Sequence, residues 1–398
     1  MRKLFSILFL SLGLFGYAQQ PNYFLQGVSD LKNNNPDAAM QNLDKALKED
    51  KYSARSYLYR GIAYYQTQLF TLAASDLSQA WKNGNPEAAL WLAKIKAQLG
   101  EVDSCINYIQ AYLKINPFAS KSELLRISDF QPIQNSDSWY AYVSSSQNSP
   151  LEEAIEEVRY YFINNRPEDA LSSVNQAISL YGNDVILLDL RAQVYNSLQN
   201  FSLAAADYRT LLKTNPSSSR FLKGLAQCQL NQKEFTQASE NLRLLITEVP
   251  EDFELYLLHG TSELGNKQPA NALRAVITFL NYFPTDSTAL FLSAQAYFDL
   301  GQYQQALRSM NSLFEKYPPN ARWFSHRGRC YFSTGAYNPA AYDFSMSLDL
   351  DPRNPQANLM LGNCYSKLGQ PEKACYFWKR ALNYGELQAT EYLLNFCQ

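Results

Sequence analysis

From Leu151 onward the chain repeats one pattern of apolar and polar positions every 34 residues. Each repeat reads as two helices of about three turns, too short to be stable alone. One position in the first helix is small or nearly so: Val158, Ala192, Ala226, Gly260, Ala294, Gly328 and Gly362. One position in the second helix is alanine throughout: Ala170, Ala204, Ala238, Ala272, Ala306, Ala340 and Ala374. Larger residues such as Tyr195, Tyr297, Tyr331 and Tyr365 stand beside the first slot. A pair of helices approaches closely only where one side chain is small and bulkier neighbours fill the remaining space. The pattern therefore predicts helical hairpins that become stable by stacking on one another.

The punctuation agrees. Pro216, Pro250, Pro284, Pro318 and Pro352 close their units, because proline cannot continue a helix. Pro36, Pro167, Pro269 and Pro371 open second helices, where a missing N–H costs nothing. Phe70, Phe201, Phe235, Tyr303 and Tyr337 take that place elsewhere, as an aromatic plug under the turn. The spacing reaches back to Gly27, Gly61, Ala93 and Cys105, so residues 19–117 read as a block of three units. Residues 118–150 have one unit's length but no small slots, and Pro132 stands where a helix would be interrupted. Helices are expected near 121–127 and 137–145 with an irregular bridge at 129–135, packed through Phe130, Ile133, Trp139, Tyr140 and Val143. Residues 387–398 place Leu387, Thr390, Leu393, Leu394 and Cys397 on one face, as a capping helix would.

The repeat is clearest across 321–386, where Gly328 and Gly362, Tyr331 and Tyr365, and Phe344 and Trp378 are each 34 apart. This resembles the tetratricopeptide repeat, a helix–turn–helix unit with spaced Leu-Gly, Tyr, Ala, aromatic and Pro positions. The resemblance implies an all-α fold: an α-solenoid of tetratricopeptide units in a right-handed superhelix, with 151–386 as seven units in strict register. It further implies a non-catalytic scaffold for protein or peptide partners, with the first helices lining a concave groove. One slot on that face reads Arg159, Gln193, Gln227, Thr261, Gln295, Arg329 and Asn363. Amides suit the backbone of an extended peptide, which carries a donor and an acceptor at nearly every residue. Phe291, Phe298 and Phe332 adjoin the slot, and with Arg322 they complete the expected partner site. One variant of the family clamps a partner's terminal carboxylate. Lys223 and Gln227 partly match its first pair of residues, but Phe291 and Gln295 stand where a basic pair belongs.

Composition narrows the function. Residues 1–18 carry Arg2 and Lys3, an apolar run and small residues ending at Ala18, the pattern of a cleaved secretory signal. The run is short of the roughly 20 residues that span a bilayer. A mature chain free of the membrane is expected, periplasmic or extracellular, possessing an assembly or chaperoning role among envelope or secreted proteins. Without Arg2 and Lys3 the formal charge is about −4, which offers no attraction to nucleic acid. Of the six cysteines, Cys228, Cys330 and Cys364 share one small slot and are expected to be buried, while any disulfide should fall among Cys364, Cys375 and Cys397. His259 and Glu263 share a helix face but lack the further ligands of a metal site, and His326 sits among Arg322, Arg327 and Arg329. No catalytic, cofactor or metal residue is assigned. The rival to a scaffold is an enzyme or carbohydrate-binding module that uses an aromatic groove.

Overall fold

The computed structural model describes residues 22–51, 53–144 and 149–397, and the signal-like stretch at 1–18 lies outside them. The chain falls into two compact units, Met1–Tyr112 and Leu113–Gln398. In the first, α1 (Tyr23–Lys32) pairs with α2 (Pro36–Glu49), and α3 (Ala54–Gln66) with α4 (Phe70–Lys82). Next come α5 (Ala88–Gln98) and α6 (Val102–Ile115), whose last residues pass into the second unit. Irregularity follows: a single turn, α7 (Lys121–Leu124), a 3-10 helix at Ser128–Ile133 that contains Pro132, and α8 (Asp137–Ser144).

Seven hairpins then stack in order. Their first helices are α9 (Pro150–Ile163), α11 (Val185–Ser197), α13 (Ser219–Asn231), α15 (Glu254–Gly265), α17 (Ser287–Asp299), α19 (Ala321–Ser333) and α21 (Pro355–Lys367). Interleaved second helices are α10 (Pro167–Tyr181), α12 (Phe201–Thr214), α14 (Phe235–Glu248), α16 (Pro269–Leu280), α18 (Tyr303–Lys316), α20 (Tyr337–Leu350) and α22 (Pro371–Asn383). The array ends with α23 (Ala389–Phe396). No strand occurs among the described residues, so the fold is an all-α solenoid of stacked helix pairs. Consecutive first helices of the second unit touch one another, whereas consecutive second helices make fewer contacts. The stack therefore curves with its first helices on the inside.

The small slots do what the sequence requires. A Cβ added to Gly260 would meet Val276 at 2.6 Å, and one added to Gly362 would meet the Trp378 indole at 2.5 Å. Trp378 is 1% exposed, and the second-helix alanines are fully buried. Most first helices, α15 excepted in the array, begin on side-chain caps that satisfy a free N–H, such as Asp286 on Ala289 (2.8 Å) and Asn354 on Ala357 (2.9 Å). Second helices largely begin without one. They are set instead by a left-handed residue two positions before the helix, at Asn165, Gln199, Lys233, Lys267, Gly301, Gly335 and Gly369. Each folds the N–H that follows back onto the end of the first helix, as Asn200 N does on Tyr195 O (2.8 Å).

Three units add a buried ion pair between their helices. Arg60 grips Asp76, Arg191 grips Asp207 and Arg327 grips Asp343, each through two guanidinium nitrogens at 2.6–2.8 Å. The partners are always 16 residues apart, and Ser293 bonds Ser309 across the same slot at 2.9 Å. At the C-terminus Cys375 and Cys397 form a disulfide that ties α23 to α22, with Cα atoms 5.7 Å apart. Cys105, Cys228, Cys330 and Cys364 are free and buried.

Candidate functional site

The expected partner residues all lie on first helices of the second unit, one each on α13, α15 and α21 and three each on α17 and α19. Gln227 on α13 and Gln295 on α17 are half-buried, and Thr261 on α15 is exposed. The Thr261 hydroxyl donates to Leu257 O of its own helix at 2.9 Å. Asn363 on α21 is committed inward: its Oδ1 accepts from Trp378 Nε1 at 2.9 Å. The amide slot is thus a row of separate positions, some already engaged, rather than a cluster.

Of the three aromatic residues beside the slot, Phe291 is buried while Phe298 and Phe332 are half-buried. Phe291 is 7% exposed and packs against His326 at 5.3 Å between ring centroids. Phe298 lies on the other side of His326 at 5.6 Å and meets Tyr303, the aromatic plug of its own turn, at 5.3 Å. Phe332 makes the same contact with Tyr337 at 5.3 Å and joins the core beside Ala340 and Leu361. Sequence reasoning placed these rings by slot. It did not see that the plug residues one turn later demand partners, which Phe298 and Phe332 supply, or that Phe291 packs on His326 of the next unit. No open aromatic platform results at these residues, so the sugar-binding and enzymatic rival gains nothing from the structure.

What the structure does bring together is Phe291, Phe298, Arg322 and Arg329 around His326. The Arg322 and Arg329 guanidiniums each lie 4.5 Å from a ring, over Phe291 and Phe298 respectively. Both arginines are exposed, and neither forms an ion pair among the described residues. Burial first, then Arg329 and Arg322, push the His326 imidazole down to about 4. Arg327 turns away to Asp343 and takes no part, contrary to the reading that counted it among the surrounding charges.

Elsewhere on this face Lys223 Nζ sits 2.7 Å from both Asp252 and Glu254, so the residue that matched a carboxylate clamp is already neutralised. His259 Nε2 is 3.4 Å from Glu263, and burial lowers the His259 pKa before Glu263 raises it in part. Glu263 also accepts from Ser239 and from Asn271 (3.2 Å). Among the described residues no group of three His, Cys, Asp or Glu side chains could hold a metal ion.

The N-terminal end of the face is where sequence reasoning missed most. Arg159 Nη2 donates to Phe118 O at 2.9 Å, and its Nη1 donates to Glu156 at 2.7 Å. Glu156 also accepts from Ser122 and from Ser120 (2.9 Å). Burial raises the Glu156 pKa, but these three donors outweigh it and hold the carboxyl below its ordinary value. Phe118 sits edge-on to Phe221 (5.7 Å), with the Arg220 guanidinium 4.8 Å from its ring. Arg220 in turn donates twice to Asp189 Oδ2, at 2.7 and 2.9 Å, and Gln193 donates to the same oxygen at 2.8 Å. Asp189 is 2% exposed, and its Oδ1 has no hydrogen-bond partner among the described residues. Cavities of about 400 and 270 Å³ flank Arg159, the smaller bounded by Phe118, Asp189 and Arg220. A sequence signal existed, since Asp189 is the one acidic residue at a slot that elsewhere holds Ile155, Lys223, Leu257, Phe291, Ser325 and Leu359.

The stacked hairpins, their small slots and their left-handed turns define a helical-repeat protein with its first helices inside. The chain belongs to the tetratricopeptide repeat family: a sequence model of that family matches residues 24–86, 190–252, 257–307 and 291–355, and another matches 344–376. Proteins of this family are in general protein-interaction scaffolds. Among solved structures, a tetratricopeptide repeat protein from Parabacteroides merdae is 17% identical, covering 70% of this chain and 98% of that one, with TM-score 0.42. The C-terminal part of a TPR repeat-containing protein from Cytophaga hutchinsonii is 16% identical over 60% and 98%, with TM-score 0.47. The APC/C Cut9–Hcn1 hetero-tetramer gives 13% over 94% and 96%, with TM-score 0.47. At such values these likenesses say nothing about function. No curated protein matches. Among the described residues no helix is long and apolar enough to cross a membrane.

Proposed function

We propose that the chain is an exported, non-catalytic scaffold that holds an extended segment of a protein partner on the first-helix face between α13 and α21, in the assembly or chaperoning of envelope or secreted proteins. The observation that carries the site is the pair Arg322 and Arg329, exposed, unpaired and each braced on a phenylalanine ring. Arginine held over an aromatic ring has little conformational freedom left to lose, and arginine is among the residue types enriched at binding hot spots. Gln227, Thr261 and Gln295 would meet the partner's backbone, and the two arginines favour an acidic stretch in it. Export is supported by the basic, apolar and small residues of 1–18 and by the Cys375–Cys397 disulfide, a bond that persists in oxidising compartments.

The test is affinity capture from the native compartment with Arg322→Glu and Arg329→Glu combined. Both side chains point out of the core, so helicity should be retained. Loss of the proteins that the unsubstituted chain retains, and weaker capture of them by that chain as salt rises, is the expected result. Identical capture by both chains would move the site off this face. Sequencing the mature N-terminus should return Gln19, and an intact start at Met1 would end the export reading.

A further inference from the structure

At the N-terminal end of the array the chain already has a segment seated on its first-helix face, and the segment is its own. The link 116–120 runs against α9 and α13. Arg159 holds the Phe118 carbonyl (2.9 Å), Phe221 receives the Phe118 ring (5.7 Å), and Arg220 covers that ring (4.8 Å). A donor on a backbone carbonyl, a buried ring beneath and a guanidinium above are the parts from which peptide sites are built. Nor is the seat filled perfectly. Phe118 and Asp189 bound the same cavity of about 270 Å³, and Asp189 Oδ1 is left without a donor. An unmet buried carboxylate oxygen is costly, and residues 116–120 do not relieve it.

We propose that this seat is a second binding site, for an extended segment of another protein that carries an aromatic residue beside a hydrogen-bond donor, and that residues 116–120 occupy it as a tethered stand-in. The proposal rests on the reading of the first-helix face as the binding face, but on residues separate from Arg322 and Arg329. An incoming aromatic side chain takes the place of Phe118 between Phe221 and Arg220. Its main chain takes the Arg159 guanidinium, and a neighbouring N–H or ammonium reaches Asp189 Oδ1. Access is regulated by competition, because a tethered segment acts as a ligand at high effective concentration.

The probe is a fluorescent peptide of residues 116–122, titrated against the full chain by anisotropy. Phe118→Ala should bind it at least about tenfold more tightly than the unsubstituted chain, because the tethered competitor has lost its ring. Adding Phe221→Ala to that variant should abolish binding, as should replacing the peptide's phenylalanine by alanine. Equal affinity in both chains, or indifference to either alanine, overturns the proposal. So does absence of binding to a Phe118→Ala chain of unchanged helicity. A measurement without any variant guards against misfolding: millimolar peptide should speed hydrogen exchange at residues 118–124 of the unsubstituted chain, and unchanged exchange there is equally fatal. Arg322→Glu with Arg329→Glu should leave this peptide's binding intact, so the two sites fail separately.

Discussion

The seven hairpins from 151 onward and the segment at 118–150 share a length per unit and little else. In the hairpins, shape holds the structure: glycine or alanine on one helix receives Val276, Phe344 or Trp378 from the next, and a left-handed residue fixes each turn. In the segment there is no small slot, and buried Leu124, Phe130, Ile133 and Trp139 are joined by a local polar knot instead. Ser120, Ser122 and Arg159 converge on Glu156, while Phe130 and Trp139 form a local aromatic pair at 5.6 Å. Shape-based packing repeats because each unit offers the next an identical surface. A polar knot belongs to one place, and so it suits a segment with a task of its own.

The largest effect that would sharpen this contrast lies inside the regular units. Asp343→Ala leaves the Arg327 guanidinium partly buried without its carboxylate, so chemical unfolding should show a loss of about 3–5 kcal/mol. A loss under about 1 kcal/mol would mean that shape alone holds the unit.

Next comes pH. The folded chain keeps His326 neutral down to about 4, whereas the unfolded chain protonates it near 6.5. The contribution is therefore complete above pH 6.5 and declines as pH falls from 6.5 toward 4, by roughly 3 kcal/mol in all. His326→Leu should flatten that part of the stability profile. An unchanged slope would show that the ring is solvated rather than held between Phe291 and Phe298.

A smaller and local effect is expected in the segment. Glu156→Gln weakens the three hydrogen bonds that gather at this carboxylate, a cost of about 1–3 kcal/mol. It should appear as faster hydrogen exchange at residues 118–124 while α15–α22 exchange as before. Uniform acceleration along the array would make the segment part of the core. Smallest of all, Gln199→Gly relieves a left-handed residue at φ 61° and should raise stability by roughly 0.5–1 kcal/mol, net of glycine's own flexibility. A loss of stability there would mean that the Gln199 side chain does something the turn does not require.

Much of the array was legible because packing has a fixed period. The small slots, the prolines and the plug aromatics all recur at 34 residues, and a single chain displays the rule seven times over. The terminal staple was partly legible: three cysteines at the end narrowed the choice, and geometry selected Cys375 with Cys397. The Arg–Asp grips were readable in principle, as Arg60, Arg191 and Arg327 each precede an aspartate by 16. They went unseen because they occur in three units only. The packing of Phe291, Phe298 and Phe332 was not legible by slot, since it depends on His326 in the next unit and on the rings Tyr303 and Tyr337 that the turns present. Nor was the seat of Phe118, a contact made to Arg159 and Phe221 from outside the repeat period.

The account's central claim is that a protein partner lies on the first-helix face. A photo-crosslinkable residue at Gln295, half-buried on α17, and another at Gln305, exposed on α18, sample the inner and outer faces of one hairpin. Irradiation in the native compartment should join a protein to the chain from position 295, with position 305 silent. Cross-links from 305 alone would place the partner on the second helices and contradict the account.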